Sequence, residues 1–122
     1  MRKWVAVALM LAATPAWAAD RFDLVCTAGK TPVHYRVDLA AGEWCAGDCS
    51  VVNKIAAVTS GMLTLQDEKA IRRSDWENTT TVNRITGEWY SYSYNASLGG
   101  LPFQRSGRCE PTTYSGMAKP KF

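Results

Sequence analysis

The stretch Thr79 to Asn95, reading TTTVNRITGEWYSYSYN, most constrains the fold, being the longest unbroken run of strand-forming residues beyond the N-terminal leader. Its Thr, Val, Ile, Trp and Tyr residues suit a pleated, half-buried surface, and Thr86-Gly87 supplies a glycine able to take positive φ. The run is predicted to form a β-hairpin. With Thr86-Gly87 as a two-residue loop, Asn83 pairs with Tyr90, Thr81 with Tyr92 and Thr79 with Tyr94, leaving Arg84 beside Trp89 on the opposite face. A bulged three-residue loop moves the register by one and changes these partners, while the two face sets stay the same. The tyrosine row Tyr90, Tyr92 and Tyr94, with Arg84 and Trp89 behind it, is the candidate binding surface, because exposed tyrosines join contact area to a hydrogen-bonding tip. Core packing is the competing role for these aromatics, and a surface cation–π contact the competing role for Arg84 and Trp89.

The chain begins with Met1-Arg2-Lys3, the apolar run Trp4 to Ala13, and Ala16-Trp17-Ala18, which together have the form of an export signal cleaved after Ala18. The apolar run is shorter than the roughly 20 residues that a spanning helix needs. Residues 1–18 are therefore read as a signal peptide and residues 19–122 as a single domain without an integral membrane segment. Of 14 Lys and Arg, two lie in the leader, so the mature chain sets twelve basic residues against 11 acidic ones, a net charge of +1. Nothing in that balance points to nucleic acid or to an anionic surface.

Four cysteines, Cys26, Cys45, Cys49 and Cys109, form an even set in an exported chain, which reads as two disulfides with three possible connectivities. The expected pairs are Cys26 with Cys109, joining first strand to last, and Cys45 with Cys49 across a tight loop containing Gly47. A redox role for Cys45 and Cys49 does not fit three intervening residues in a glycine-containing loop. A zinc site would need four ligands, and His34 is the only histidine. No cofactor or metal is expected.

Phe22 to Cys26 reads as a first strand, followed by the turn Ala28 to Pro32. Val33, Tyr35, Val37 and Leu39 then alternate with His34, Arg36 and Asp38, as in a strand with one wet side. His34 falls on that polar side, with no local nucleophile and orienting carboxylate to make it catalytic. Ala40 to Ser50 is expected to be a loop, and Val51 to Thr59, which reads as a short helix or a strand, is taken as a strand forming a hairpin with Met62 to Gln66, with Leu63 and Leu65 pointing inward. Asp67 to Asn78 is expected to be a loop with room for one helical turn, since Ser74-Asp75-Trp76-Glu77 has the spacing of a helix-capping box. A last strand lies within Phe103 to Cys109, and Thr112 to Phe122 is an irregular tail. The expected fold class is all-β, a small antiparallel barrel or sandwich of about seven short strands tied by disulfides.

Asn78-Thr79-Thr80 and Asn95-Ala96-Ser97 match the glycosylation acceptor pattern, which is short enough to arise by chance. The carboxylates are scattered, so no catalytic set is visible. The segments Phe22-Asp23-Leu24-Val25-Cys26-Thr27, Arg36-Val37-Asp38-Leu39, Gly42-Glu43-Trp44-Cys45, Val82-Asn83-Arg84-Ile85-Thr86-Gly87-Glu88 and Gly107-Arg108-Cys109-Glu110 together resemble a group of small exported bacterial proteins without assigned function. That likeness implies export and a β fold. In layout, the early Cys26 and late Cys109 also resemble the periplasmic inhibitors of C-type lysozyme, small barrels that present a Ser-Gly loop with a basic residue and a tyrosine. Here Ser60-Gly61 is followed by Met62-Leu63-Thr64 and Ser106-Gly107 by Arg108-Cys109, and neither stretch reproduces that loop. The expected role is a periplasmic or secreted, non-enzymatic β domain that binds an unknown protein or envelope component. Lysozyme inhibition and carriage of a small apolar ligand are the alternatives.

Overall fold

A computed structural model describes residues 19–117; the predicted signal peptide lies outside the described residues. Among the described residues, nine strands form one antiparallel sheet: β1 (Arg21–Thr27), β2 (Pro32–Asp38), β3 (Glu43–Ala46), β4 (Asn53–Lys54), β5 (Ala57–Val58), β6 (Met62–Glu68), β7 (Glu77–Asn83), β8 (Glu88–Tyr94) and β9 (Phe103–Thr112). Their order across the sheet is β4-β3-β2-β1-β9-β8-β7-β6-β5, curled into a half-barrel. The fold class is therefore the one the alternation implies, with two more strands than expected. One is β3, which lies within the segment read as a loop and takes up the free edge of β2 by pairing Tyr35 with Ala46 and Val37 with Trp44. The other arises because the expected strand Val51 to Thr59 divides into β4 and β5.

That division brings the two ends of the sheet together. β4 pairs with β3 and β5 with β6, and only Ile55 and Ala56 separate them. The Ile55 N–H donates to Gly42 O at 2.9 Å and the Ala56 N–H to Thr64 O at 3.0 Å, so the segment hydrogen-bonds to both edges. Edge backbone that would otherwise be exposed is thereby covered. The Ser60-Gly61 turn joins β5 to β6 as expected, with the Thr59 N–H donating to Met62 O.

Alternation places one side chain of each pair inside. Phe22, Leu24 and Cys26 from β1, Tyr35 and Val37 from β2, Trp44 from β3, Leu63 and Leu65 from β6, Val82 from β7, Trp89 from β8 and Cys109 from β9 form one core. The register shift in β6 between Thr64 and Gln66 adds a residue at Leu65, a bulge that bends the strand around the core. Cys26 lies directly opposite Cys109 in the β1–β9 ladder and is bonded to it, while Cys45 is bonded to Cys49. Such bonds persist in oxidising compartments outside the cytoplasm. Among the described residues, no helix is long and apolar enough to cross a membrane.

The seam between β1 and β9 depends on a missing side chain. A Cβ at Gly107 would lie 2.0 Å from the Thr27 carbonyl oxygen, so the chain leaving β1 passes over this strand only because the residue is glycine.

Three expectations are corrected. In the central hairpin, Val82 pairs with Trp89, Thr81 with Tyr90, Thr79 with Tyr92 and Glu77 with Tyr94, a register two residues from the predicted one. The cause is the Asn83 side chain, whose Oδ1 accepts from the N–H groups of Ile85 and Thr86 at 2.9 and 3.0 Å and lengthens the loop to Arg84–Gly87. Gly87, at φ 81°, closes it by donating to Asn83 O. Because the shift is even, the face sets survive. Second, Ser74-Asp75-Trp76-Glu77 starts no helix: the Asp75 carboxylate accepts from Ile71 and Arg72 upstream, and Glu77 already pairs in β7. The helical turn in the described residues is a 3-10 turn at Ala96–Leu98. Third, β9 runs on to Thr112, and residues 113–117 of the expected tail return across the outer face of the sheet.

Candidate functional site

On β8, Trp89 points into the core and Tyr90, Tyr92 and Tyr94 point outward, flanked by Thr81 and Thr79 of β7 and by Ser106 and Gln104 of β9. The outward face of a sheet interior holds aromatics in fixed spacing, two residues apart on a rigid strand. Tyr90 is 38% exposed, while Tyr92 and Tyr94 are half-buried. Partial burial raises the Tyr92 pKa above the ordinary tyrosine value, and the Glu77 carboxylate and the adjacent tyrosines push the same way. At neutral pH that phenol keeps its proton and can donate.

At the Tyr90 end, the outer face sinks into a groove of about 760 Å³ lined by Thr27, Met62, Glu88, Tyr90, Ser106 and Arg108, among others. Glu88 and Arg108 stand opposite each other across β8 and β9, so one wall offers both charges. The groove thus combines an aromatic face, a thioether, hydroxyls and a charge of each sign. That is the composition of a recognition surface for a mixed polar and apolar partner.

The other two expected site residues lie elsewhere. Trp89 is buried in the core, and Arg84 sits at the far end of the hairpin, its Nη1 donating to Thr59 O at 2.7 Å. The register explains the separation, since Val82 and not Arg84 faces Trp89. The cation over Trp89 is Arg105 of β9, 5.8 Å from the ring centroid and 5.1 Å from that of Phe103. Its Nε is buried without a hydrogen-bond partner among the described residues, and its guanidinium meets the two rings by cation–π contact. Tyr35 packs edge-on against both Trp44 and Trp89. Burial pushes the Tyr35 hydroxyl pKa up, against the opposing pull of the Trp89 indole and the Arg105 charge.

A polar cluster on the outer face of β1 and β2 has no counterpart in the sequence reading. Asp23, 2% exposed, receives Ser115 Oγ at 2.6 Å and His34 Nε2 at 2.7 Å on one oxygen, and the Ser115 N–H at 3.1 Å on the other. Burial would raise the Asp23 pKa, but the Ser115 donors and His34 outweigh it and hold the pKa below the ordinary carboxylate value. An ionised carboxylate only accepts, so Nε2 of His34 carries the proton in this contact. Ser115 and His34 both bind the carboxylate instead of each other. A nucleophile–base pair is therefore not assembled, and the cluster acts as a clasp for residues 113–117. Arg36 Nη1 extends the clasp by donating to Gly116 O at 2.8 Å.

Both glycosylation matches fall on engaged amides. Asn78 donates to Glu68 and accepts from Ser93, and the buried Asn95 donates to Ser74 O. Among the described residues, no group of three His, Cys, Asp or Glu side chains could hold a metal ion. Met62 of β6 and Ser106 and Arg108 of β9, which also line the groove, come from two strands far apart in the sequence, and only the fold brings them beside Tyr90 of β8. Comparison with protein-family models, with curated proteins and with solved structures found no match.

Proposed function

We propose that this is a periplasmic or secreted, non-enzymatic binding domain that holds a protein or envelope component against the groove beside Tyr90. The observation that carries this reading is the groove itself: about 760 Å³ of open, chemically mixed surface on the rigid centre of a disulfide-tied sheet. The clasp at Asp23 supports it from the other side, because the Ser, His and Asp constellation among the described residues is committed to holding the chain. Carriage of an apolar ligand is opposed by the interior, where Phe22, Tyr35, Trp44, Leu63 and Trp89 pack as one cluster.

The test is capture of envelope components by the oxidised, exported protein, compared with Tyr90→Ala and Arg108→Glu, together with a broad hydrolase screen. A partner bound by the wild type and lost in both groove variants is expected. Turnover abolished by a single Asp, Glu or His34 substitution would overturn the reading, as would a partner indifferent to both variants.

One observation favours lysozyme inhibition as a second reading. Ser106, Gly107 and Arg108 line the groove with Tyr90, bringing together the residue types that the inhibitors place on their loop. Here they line a hollow on strands, whereas an enzyme cleft receives a projection. Stoichiometric inhibition of a C-type lysozyme, lost on reduction of the disulfides, would establish this second reading; no inhibition at large excess would dispose of it.

A further inference from the structure

The side chains lining the groove beside Tyr90 carry one charge of each sign, Glu88 of β8 and Arg108 of β9. The ladder sets them directly opposite each other, and both are exposed. Opposite charges so placed can close on each other, as Arg21 and Asp38 do at 3.1 Å across β1 and β2. Glu88 and Arg108 do not. Neither side chain makes an ion pair or a hydrogen bond among the described residues. Charges just beyond the lining leave the balance as it is. Lys30 follows Gly29 in the turn after β1, Glu110 follows Arg108 on the outward side of β9, and Arg84, next to Asn83, is turned to Thr59 O.

Beside this open pair lies an apolar wall. Tyr90 stands one outward step along β8 from Glu88, about 7 Å away for two residues of strand. Met62 reaches the groove from β6, and it and Tyr90 are each 38% exposed. Thr81, Asn83 and Ser106 add uncharged hydrogen-bonding groups between them. A ligand of a single charge would leave one member of the pair unmet, and a neutral ligand would leave both. The complement of the groove is a small body that carries an ammonium, a carboxylate and an apolar side chain. A volume of about 760 Å³ holds such a molecule at the size of a short peptide, with room that a free amino acid would leave to water.

We infer that the groove takes a short zwitterionic peptide, its ammonium at Glu88, its carboxylate on Arg108 and its apolar side chain against Tyr90. This rests on the reading of the groove as the binding site and names the chemistry of what it holds. The planar guanidinium of Arg108 meets both oxygens of a carboxylate through parallel N–H donors, while the Glu88 carboxylate accepts from the ammonium. Because the two receptors are neighbours across one ladder, a peptide engages both only when its own two ends are close together.

The test is calorimetric titration of the oxidised, exported protein with the dipeptide alanylphenylalanine, beside its N-acetylated and C-amidated forms. Binding of the free dipeptide is expected, with about fivefold lost on blocking either end. Glu88→Gln should lose about the same factor and then be indifferent to acetylation, and Arg108→Gln should be indifferent to amidation. Both substitutions are on the surface, so unchanged melting temperatures separate lost binding from lost folding, and the blocked peptides report on the unaltered protein. No binding at millimolar dipeptide overturns the inference, and so does binding that the blocked forms match or that both Gln variants leave intact. Envelope capture that depends on Tyr90 and Arg108, in a protein that ignores the dipeptide, would overturn the peptide inference alone and leave the groove as the binding site.

Discussion

The outer face of the sheet is treated in two opposite ways. Over β1, β2 and β3, residues 113–117 return and cover it, with Ser115 on Asp23, Gly116 under Arg36 and Met117 Sδ 3.2 Å from Cys45 Sγ. Over β7, β8 and β9 no segment of the described residues returns, and the tyrosines face outward, Tyr90 against the groove. Strand alternation is the same in both halves, so the difference lies in what the outward residues ask for. Asp23 is a buried carboxylate whose cost is met only by donors, and the strap supplies them. Tyrosine rings tolerate either state, having an apolar body and a polar tip. The covered half uses its polar residues for folding; the open half leaves its tyrosines facing outward.

The two halves meet at the β1–β9 seam, and the largest expected effect comes from cutting it. The Cys26–Cys109 bond spans a sequence separation of 83 and Cys45–Cys49 one of 4. By loop entropy the first contributes about 4–5 kcal/mol and the second about 2. Denaturant unfolding of the double variants Cys26→Ala/Cys109→Ala and Cys45→Ala/Cys49→Ala should show that ranking. Equal midpoints would mean that the halves are not joined chiefly at the seam. Gly107→Ala strikes the same place without touching sulfur. The added Cβ meets the Thr27 carbonyl backbone, so a loss of about 2–3 kcal/mol is expected, read as a lowered urea midpoint. A neutral substitution would show that the chain leaving β1 at Thr27 can shift away from β9.

The clasp should be worth less and should depend on pH. Asp23→Asn keeps the shape but removes the charge that accepts from Ser115 and His34, at an expected cost of about 1–3 kcal/mol near neutrality. The sign follows from the lowered pKa of Asp23. A carboxylate whose folded pKa lies below its unfolded value of about 3.9 stabilises the fold above that value and loses the contribution as pH falls toward the folded pKa. The gap between wild type and Asp23→Asn should therefore be constant from neutrality down to about pH 5 and should close below about pH 4. A gap that widens in acid would mean that the carboxylate is not the acceptor holding the strap.

How much of this was legible in the sequence depended on distance along the chain. Alternation at Val33, Tyr35 and Val37 and at Leu63 and Leu65 marks the inward face correctly, because a period of two is a local property. The hairpin's face sets were likewise legible, yet its partners were not. Asn83 looks like any strand-end residue until its side chain takes the N–H groups of Ile85 and Thr86 and adds two residues to the loop. That even shift is why Tyr90 still faces outward and why Arg84 never reaches Trp89. Arg105 holds that position, and nothing near it in the sequence distinguishes it from Arg84. The clasp was illegible for a simpler reason: Asp23 and Ser115 are 92 positions apart, and neither type carries a spacing signal.

The smallest effect on stability should come from the open half, and there it is most informative. Tyr90 is 38% exposed and packs across β8 against Thr81 and Ser106. Tyr90→Ala removes cross-strand contact but creates no cavity, so a cost of about 1 kcal/mol or less is expected in urea unfolding. Partner capture by the same variant should be lost. A stability cost of about 3 kcal/mol or more, as for a buried aromatic, would place Tyr90 among the residues that hold the sheet together. The contrast between a covered structural half and an open binding half would then fail, because both faces would be serving the fold. A small cost with partner capture intact would instead keep the face open and move recognition along the row, to Tyr92 and Tyr94.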